Sequence, residues 1–590
     1  MVNEMTLIIS AALSILTIHG LRFEVTDNYI KLNNTYTFYW ILLFVFVTGT
    51  LYRALSEKDK RLLCCSALFS FIISTFSVIG VSIARMRRIS WIWESRNYLI
   101  NFLILYYAQF ILYFCISYLA FRWLKKNSYT RKNSENPVFS FRRVLLWWGI
   151  LTLFFLPWYL HLYPGVLTQD SGDQIHDAIT TNTLSDHHSA FLTLVMRGIL
   201  LPIRQASGSL QLSVGICVLL QMVIVTFVFA FSYEWIRLYL QNRALRAIAF
   251  LYYALHPIHP IYTITLWKDI LFSACFLALI LCLDALNRDE AAFFSSKKKK
   301  TALFLIMLLL PLMRHNGIAI TLVTGVYLFF YYRSCRLQIA GICIGVLLLF
   351  GIWEYLAMPA LNVSKISPAH TFSILEQQIV RTLDEHRDEL DPEERSELES
   401  YFDHPEVWMI YNPQVSEAVK ASFRVDKFNE DPGRFFTLWS KLGLRYPVTY
   451  LEAFLLNTYG FWFTEINYWY SDYSVRDTAM KEDIHQAPIV NSGILEKVRC
   501  WVRDYQFVKL PLANLVFNAC AHFWIWIFCG CYCLYQNRKK FILILPGLAL
   551  WVSVLPTPLA QEFRYVYGFL TAFPLILAAT LSGSESTDRK

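Results

Sequence analysis

Long apolar stretches separated by short polar segments occupy most of the chain. A helix needs about 20 mainly apolar residues to cross the hydrocarbon core of a bilayer. The pattern therefore predicts an all-α polytopic membrane protein with about 12–14 transmembrane helices and a mostly helical extracytoplasmic domain. The candidate crossings lie near residues 5–22, 36–54, 62–84, 98–121, 144–163, 209–233, 244–264, 269–287, 301–313, 317–332, 338–357, 511–535, 541–556 and 566–582. The stretch at 301–313 is short and contains Pro311, so it and 317–332 are also compatible with a hairpin.

Composition supports a membrane protein. Of the 590 residues, 56% are hydrophobic and only 16% are charged, whereas a soluble protein carries about 25% charged residues. Aromatic residues make up 16% of the chain, which suits a protein with aromatic belts at both membrane interfaces. The net charge of +9 matters less than its distribution, and we expect no nucleic-acid partner.

Short basic loops predict the orientation, because loops rich in Lys and Arg stay in the cytoplasm. Alternation through the predicted helices places five basic loops on one side: 122–143, 237–246, 288–300, 333–336 and 538–540. The polar groups at 164–190, 256–269, 314–316 and 558–565, and the hydrophilic segment 358–509, then lie outside. Four arginines disagree, since the same count also puts Arg85, Arg87, Arg88 and Arg96 outside, beside Trp91 and Trp93. Either this stretch is an interfacial helix or the first four helices are misassigned; a third alternative is an outside basic patch that binds a phosphate.

The same pattern divides the chain into four parts. Residues 1–143 form N-terminal transmembrane helices, and residues 144–357 form a transmembrane core whose first outer loop spans 164–208. Residues 358–509 form an extracytoplasmic domain, and residues 510–590 form C-terminal transmembrane helices. Within the third part, the amphipathic and aromatic region 435–470 is typical of helices that lie on a membrane surface.

The first candidate site is the acidic outer loop. Asp170 and Asp173 lie within one helical turn, and Asp186, His187 and His188 follow about a dozen residues later. A carboxylate here can act as a general base on a hydroxyl, and two carboxylates with a histidine can hold a divalent cation. The alternative interpretation is an N-capped helix start at Asp170-Ser171.

Cations follow in three other outer segments. Lys268 and Asp269 begin an apolar helix. The alternative to a functional role is that Lys268 snorkels to the membrane surface and Asp269 caps the helix. Arg314-His-Asn-Gly317 joins two apolar stretches, and the alternative there is a plain polar turn. Glu562, Arg564 and Tyr565 enter the last crossing, and the alternative there is a plain position at the water interface. Because arginine binds phosphate through a fork of donors, the convergence suits a substrate with a phosphate head and a lipid tail.

From Val144 to the C-terminus the chain resembles the GT-C class of membrane glycosyltransferases, and is most similar to an uncharacterised bacterial branch of it. Six motifs carry the resemblance: Tyr163-Pro-Gly with Asp170-Ser and Gln174, Asp186-x-His188, Trp267-Lys-Asp-x-x-Phe272, Arg314-x-Asn-Gly317, Gln377-Gln-Ile-Val-Arg381 and Glu562-Phe-Arg-Tyr565. The class transfers a sugar from a polyprenyl-phosphate donor to an acceptor outside the cytoplasm.

The resemblance implies roles for particular residues. Asp170 matches the acid of the first loop and would be the base, with Asp173 and His188 as further catalytic candidates. Lys268, Arg314 and Arg564 become candidates for the donor phosphate. Supporting positions would be Asp269, Asn316, Gln378, Arg381, Glu562 and Tyr565.

The expected partners are a polyprenyl-phosphate-linked sugar, membrane lipids, and an extracytoplasmic acceptor that is a cell-wall or surface glycopolymer, a lipid or a protein. The expected location is the plasma membrane, with the active site facing outward. The chain departs from the class pattern in its extra helices before residue 144 and in lacking an Asp-x-Asp pair. No cofactor is certain, and metal dependence stays open, with Asp170, Asp173 and His188 as the ligands if a divalent cation binds.

Three other functions remain open from the sequence. A secondary transporter or a flippase for lipid-linked sugars is the main alternative, because Pro260 and Pro311 break apolar stretches as they do in transporters. Transporters, however, usually place polar residues near the midplane, whereas here they lie at helix ends. A membrane O-acyltransferase would need one of the outer histidines to act on an acyl donor. A structural subunit would not need an acid and several arginines at one face.

Overall fold

The computed structural model of the protein describes residues 2–25, 30–32, 37–126, 138–180, 184–463, 484–556 and 562–581. Three predicted features fall partly outside these residues: Arg131 and Lys132 of the first basic loop, Trp469 and Tyr470 of the aromatic region, and residues 557–561 of the last polar group. The described part is helical apart from one short antiparallel hairpin and isolated bridges. In the hairpin, Phe23–Val25 pairs with Ile30–Leu32.

Helices occur in each of the four parts of the chain. The N-terminal part holds α1 (Val2–Leu21), α2 (Thr37–Leu55), α3 (Lys60–Met86) and α4 (Arg96–Lys126). The core holds α5 (Phe141–His161), α6 (Gln169–Ile179), α7 (Ala190–Ser207), α8 (Leu210–Ile236), α9 (Arg243–Leu255), α10 (Ile258–Thr263), α11 (Lys268–Arg288), α12 (Glu290–Ser295), α13 (Lys297–Met313), α14 (Gly317–Tyr331) and α15 (Arg336–Ile352). The third part holds α16 (Met358–Ala360), α17 (Pro368–Thr371), α18 (Ser373–His386), α19 (Pro392–Glu399), α20 (Glu417–Ser422), α21 (Val425–Glu430), α22 (Pro432–Arg445), α23 (Pro447–Thr458) and α24 (Gly493–Arg503). The last part holds α25 (Pro511–Phe517), α26 (Ala519–Gln536), α27 (Leu545–Val554) and α28 (Tyr567–Leu581).

The prediction of an all-α polytopic membrane protein is confirmed. Within the described residues, 8 helices are long and apolar enough to cross a membrane. They are Glu4–Leu21, Lys60–Met86, Arg96–Lys126, Phe141–His161, Leu210–Ile236, Lys268–Arg288, Arg333–Ala360 and Phe563–Thr580. Two shorter apolar helices, Tyr39–Leu55 and Gly317–Tyr331, accompany them.

Some predicted crossings are not single helices. The stretch near 244–264 divides into α9 and α10, because His256 precedes Pro257 and adopts an extended conformation with ψ 113°; the residue before a proline disfavours the helical region. The stretch near 511–535 divides into α25 and α26 at Asn518, whose side chain caps α26. The prediction of one continuous helix in each stretch is therefore wrong.

Helix α11 separates two chemically different ends of the bundle. Its 21 residues span about 31 Å at 1.5 Å per residue, close to the thickness of a bilayer core. At its C-terminal end, the Arg288 guanidinium lies 4.1 Å from the Tyr239 ring centroid, and the Lys540 ammonium lies 5.9 Å from the same ring. Four further contacts bring the other basic loops to this end: Arg143 and Arg237 with Glu234, Lys125 with Tyr535, and Lys300 with Gln338.

At the opposite end, residues 364–458 form a helical domain whose own core lies within residues 369–450. Buried side chains from α18, α19, α21 and α22 pack together, including Val380, Leu398, Phe428 and Phe435. The domain contacts the acidic loop, because the backbone of Ser364 pairs with that of Leu184 and Asp186. The first residue of α11, Lys268, lies at this end.

The domain also contacts the arginine-rich stretch after α3. Glu452 accepts hydrogen bonds from the backbone N–H groups of Ile89 (2.6 Å) and Ser90 (2.9 Å). The stretch is not an interfacial helix; it is a short 3-10 turn, Ser90–Trp93, whose Trp91 is only 2% exposed. The turn is therefore packed against the helical domain.

Candidate active site

A short backbone pairing joins the acidic loop to the start of α11. The Val166 N–H donates to the Ile264 carbonyl (2.9 Å), and the Leu266 N–H donates to the Val166 carbonyl (3.3 Å). Gly165 permits this approach: its φ is +140°, and a Cβ there would lie 2.8 Å from the Ile264 oxygen. The pairing holds the first turns of α6 and α11 side by side.

Thr168, and not Asp170, caps α6. The Thr168 hydroxyl accepts from the Ser171 N–H and the Ser171 hydroxyl accepts from the Thr168 N–H, which is a capping box. The Ser171 hydroxyl also donates to the Leu266 carbonyl (3.0 Å), and the Trp267 indole N–H donates to the Thr168 hydroxyl (2.7 Å). The interpretation of Asp170 as an N-cap is therefore wrong, and its carboxylate is available for other partners.

Asp170 instead forms an ion pair with Arg564. One Arg564 Nη1 lies 2.6 Å from Asp170 Oδ2, and Arg564 Nε lies 3.0 Å from Glu562 Oε2. The guanidinium also lies over the Trp267 ring, 4.5 Å from its centroid. The Asp170 side chain is 38% exposed and the Arg564 side chain is 12% exposed. Asp170 is thus accessible from outside the protein, while Glu562 and Trp267 hold the more buried Arg564 in place.

The two acids of α6 titrate in opposite directions. Burial alone would raise the pKa of Asp170, but the charge of Arg564 lowers it to about 2. Partial burial and then the negative charge of Asp170 raise the pKa of Asp173. Residues three apart share a helix face. Neighbouring acids whose pKa values are pushed apart are typical of active sites.

Lys268 and Arg314 supply two further cations nearby. The Lys268 ammonium donates to the His187 carbonyl (2.6 Å). Arg314 Nη1 lies 2.7 Å from Asp269 Oδ1, and the guanidinium lies 4.4 Å from the Tyr565 ring centroid. Arg314 therefore contacts Tyr565, the neighbour of Arg564, so both guanidinium groups lie beside the chain segment 562–565.

The turn that carries Arg314 is fixed by close packing. A Cβ on Gly317 would lie 2.2 Å from the Leu310 carbonyl oxygen, so only glycine fits. The Asn316 amide donates to the Ser553 carbonyl (3.0 Å). The Arg314 side chain is thereby held at the site end of α13.

His187 and His188 stay neutral near pH 7. Burial first, and then the charge of Lys268, lower the pKa of His187 to about 4 and that of His188 to about 3. Gln174 fixes the second histidine by donating to its carbonyl (2.9 Å). The His187 ring lies 4.5 Å from that of His370 in α17, so the helical domain closes over this side of the site.

Most predicted site residues meet here, and two do not. The structure brings together Asp170, Asp173, His188, Lys268, Asp269, Arg314, Asn316, Glu562, Arg564 and Tyr565. Gln378 instead contacts Tyr450 and Trp439, and Arg381 pairs with Glu452 and Glu385. These two residues lie away from this cluster, because α18 directs Gln378 towards α22 and α23 within the helical domain and Arg381 towards the Arg87–Ser90 turn.

The predicted cation ligands do not form a metal-binding geometry. Among the described residues, the only group of histidine and carboxylate ligand atoms within 4.8 Å of one another is Asp186, His315 and Glu354. Asp170 is engaged by Arg564, which removes it from the predicted set. Glu354 was missed, although a single acid in the apolar stretch 338–357 was a signal for a functional residue.

A model for a family of unknown function, DUF6020, matches residues 177–590. This match covers more than half of the chain, so the protein belongs to the DUF6020 family. No curated protein matches the chain. No solved structure matches it either. The family match includes Lys268, Arg314 and Arg564 and begins after Asp170.

Proposed function

We propose that this DUF6020 protein is a membrane glycosyltransferase. It moves a sugar from a polyprenyl-phosphate donor to a hydroxyl of an extracytoplasmic acceptor. The observation that carries the proposal is the Asp170–Arg564 ion pair. In this pair an ionised carboxylate lies beside a guanidinium, a group that binds phosphate well, at one end of the helix bundle. Lys268 and Arg314 lie nearby.

The cations suit a lipid-linked phosphate. A guanidinium binds phosphate through two parallel hydrogen bonds, and both Arg314 and Arg564 are backed by aromatic rings that fix their planes. A lysine and two arginines at the end of a transmembrane bundle can hold a phosphate at the interface while its tail stays in the lipid. Cations that stabilise the charge of the departing phosphate act in the transition state.

Asp170 is the proposed base. The acceptor O–H proton passes to the Asp170 carboxylate, the acceptor oxygen bonds to the anomeric carbon, and the bond from that carbon to the phosphate oxygen breaks. The leaving group is polyprenyl phosphate. While Arg564 pairs with Asp170, the pKa of about 2 makes the carboxylate a weak base. A donor phosphate that engages Arg564 weakens this pairing and so makes Asp170 more basic once the donor is bound.

The site is proposed to face away from the cytoplasm. The five basic loops share the opposite end of the bundle, and such loops favour the cytoplasmic side. The helical domain lies at the site end and contacts the acidic loop, which makes it the candidate for acceptor selection.

The proposal is tested by reconstituting the purified protein in liposomes with a panel of polyprenyl-phosphate sugars and crude envelope acceptors. We expect one donor to be consumed, with polyprenyl phosphate released in equal amount. Because the acceptor in such a mixture is unspecified, binding of each lipid donor is measured alongside.

Binding of no donor would refute the proposal. Passage of a fluorescent lipid-linked sugar across the bilayer without its consumption would favour a flippase instead. Arg387→Gln serves as the control for any arginine variant, because Arg387 is exposed and stacks on Trp408 away from the site.

A further inference from the structure

Three side chains of the types that bind metal ions converge beside Lys268 and Arg314. Asp186 begins the 3-10 turn Asp186–His188, His315 lies between α13 and α14, and Glu354 lies in a π-helical turn, Trp353–Ala357. One ligand atom of each lies within 4.8 Å of the other two. Asp186 Oδ2 and His315 Nε2 are 3.1 Å apart. Three separate elements therefore bring one nitrogen and two carboxylate oxygens to one place.

The surrounding structure orients Asp186. Its backbone N–H donates to the Ser364 carbonyl (2.9 Å), and its Oδ1 accepts from the Ala190 N–H (3.3 Å). The Ser189 hydroxyl donates to the Leu312 carbonyl (2.7 Å), which ties the turn to the end of α13. One carboxylate oxygen is thus held by the protein while the other points at His315. Hydrogen bonds of this kind orient ligands at metal sites.

Glu354 is unusual for its position. It lies near the end of the candidate span Arg333–Ala360, and its carboxylate forms no hydrogen bond or ion pair with another residue that the structure describes. Its carboxylate lies close to that of Asp186, and two nearby carboxylates repel unless a cation or a proton lies between them. Single π-helical turns inside α-helices are frequent at functional sites, and this one contains Glu354.

The three side chains open onto a small cavity. Asp186, His315 and Glu354 line it together with Lys268 and Arg314. An ion held by the three ligands would therefore keep an open coordination position on the side of the two cations. Three protein ligands with an open position are the usual arrangement of catalytic metal sites.

We propose that Asp186, His315 and Glu354 bind a first-row divalent transition-metal ion, of which Zn²⁺ and Mn²⁺ are the probes. An imidazole with two carboxylates suits such ions, whereas Mg²⁺ and Ca²⁺ favour oxygen ligands alone. The site differs from the Asp170, Asp173 and His188 set that the sequence suggested. The metal site stands independently of the proposed transfer. A bound ion could also serve as a further contact to a donor phosphate, and only that role rests on the proposed transfer.

The test is metal binding by the full-length protein in detergent, without a histidine tag and without any lipid donor. The protein is stripped with a chelator and titrated with Zn²⁺ or Mn²⁺ in a calorimeter, and bound metal is counted by mass spectrometry. We expect one ion per chain. Loss of an outer-shell partner costs about 10–100-fold in metal affinity, so we expect Glu354→Gln and His315→Ala to lose at least about a hundredfold. His370→Ala is the matched control and should bind as the wild type does.

Three results would overturn the site: no ion bound, equal binding by the variants and the wild type, or preference for Mg²⁺ or Ca²⁺. Should His315→Ala fail to fold, as judged by size-exclusion chromatography, Glu354→Gln and the absorption spectrum of bound Co²⁺ decide the question. A Co²⁺ spectrum unchanged by Glu354→Gln would exclude Glu354 as a ligand. Since no donor is present, failure here is distinct from failure of the proposed transfer.

Discussion

Replacing Glu452 by Ala should release the helical domain from the turn after α3. Glu452 accepts from two backbone N–H groups and pairs with Arg381 at 2.8 Å. Its side chain is 3% exposed. Removing one partner of a buried ion pair costs about 3–5 kcal/mol, and the remaining pair of Arg381 with Glu385 places the expected loss towards the lower figure. Each orphaned N–H group adds to this cost.

Hydrogen exchange at Ile89 and Ser90 measures this effect directly. At 1.4 kcal/mol per tenfold, a loss of about 3–5 kcal/mol speeds local exchange roughly a hundredfold to a few thousandfold. Glu385→Gln is the matched control, because Glu385 also pairs with Arg381 but is 34% exposed. Such a pair contributes about 0–1 kcal/mol, so the control should change exchange by less than about fivefold.

A double variant separates the two contributions. Arg381→Met with Glu452→Met removes both charges, and an apolar replacement of a buried pair is often neutral. We expect it to recover part of the lost protection, but not all, because the N–H groups of Ile89 and Ser90 still lack an acceptor. Equal exchange in Glu452→Ala and the wild type would refute the role assigned to Glu452.

Three other perturbations follow from the site and the domain. Gly317→Ala places a Cβ against the Leu310 carbonyl and should destabilise the protein by about 1–3 kcal/mol, seen as a lower melting temperature. Burial raises the pKa of Glu376 to about 9, so the folded state binds more protons and wild-type stability falls as pH rises from about 4.3 towards that value. Glu376→Gln should therefore raise the melting temperature more at pH 8 than at pH 5. Arg564→Gln removes a charged hydrogen bond worth about 1.5–3 kcal/mol, so donor affinity should fall roughly 10- to 150-fold.

Each of these has a control or a contrary outcome. Gly341→Ala meets no atom within 4 Å and, in a helix interior, should stabilise by up to about 1 kcal/mol; an equal loss at both glycines would contradict the packing argument. Asp384→Asn changes an exposed acid on α18 and should shift the melting temperature equally at both pH values. A pH-independent gain from Glu376→Gln would show that the acid is ionised when folded. Unchanged donor affinity in Arg564→Gln would remove Arg564 from the phosphate contacts.

The fold class could be predicted because the bilayer imposes one strong rule on sequence. Apolar stretches such as 62–84 and 269–287 read directly as helices α3 and α11, and helices that alternate in direction bring every second loop to the same end. That alternation is also why Asp170, Lys268, Arg314 and Arg564 could be grouped from the sequence alone. Prolines limited the prediction, since Pro257 ends a helix inside an apolar stretch.

Specific side-chain pairs could not be predicted. Nothing local to Arg564 identifies Asp170 as its partner, because the two are separated by 394 positions and meet only through packing of α6 against the end of the last span. Arg381 resembled a site residue by its motif alone, but its environment is set by Glu452 on another helix. The capping of α6 by Thr168 was readable in principle, since threonine is a good N-cap and Ser171 stands three residues later.

The most direct test of the proposed function compares the wild type with Asp170→Asn in the reconstituted donor assay. Asparagine keeps the size of the side chain and removes its charge, and Asp384→Asn controls for an unrelated loss of a carboxylate. General-base catalysis contributes about 10²–10⁴-fold, so we predict that Asp170→Asn consumes the donor at least about a hundredfold more slowly while Asp384→Asn matches the wild type. Equal donor consumption by Asp170→Asn and the wild type would contradict the assignment of Asp170 as the base.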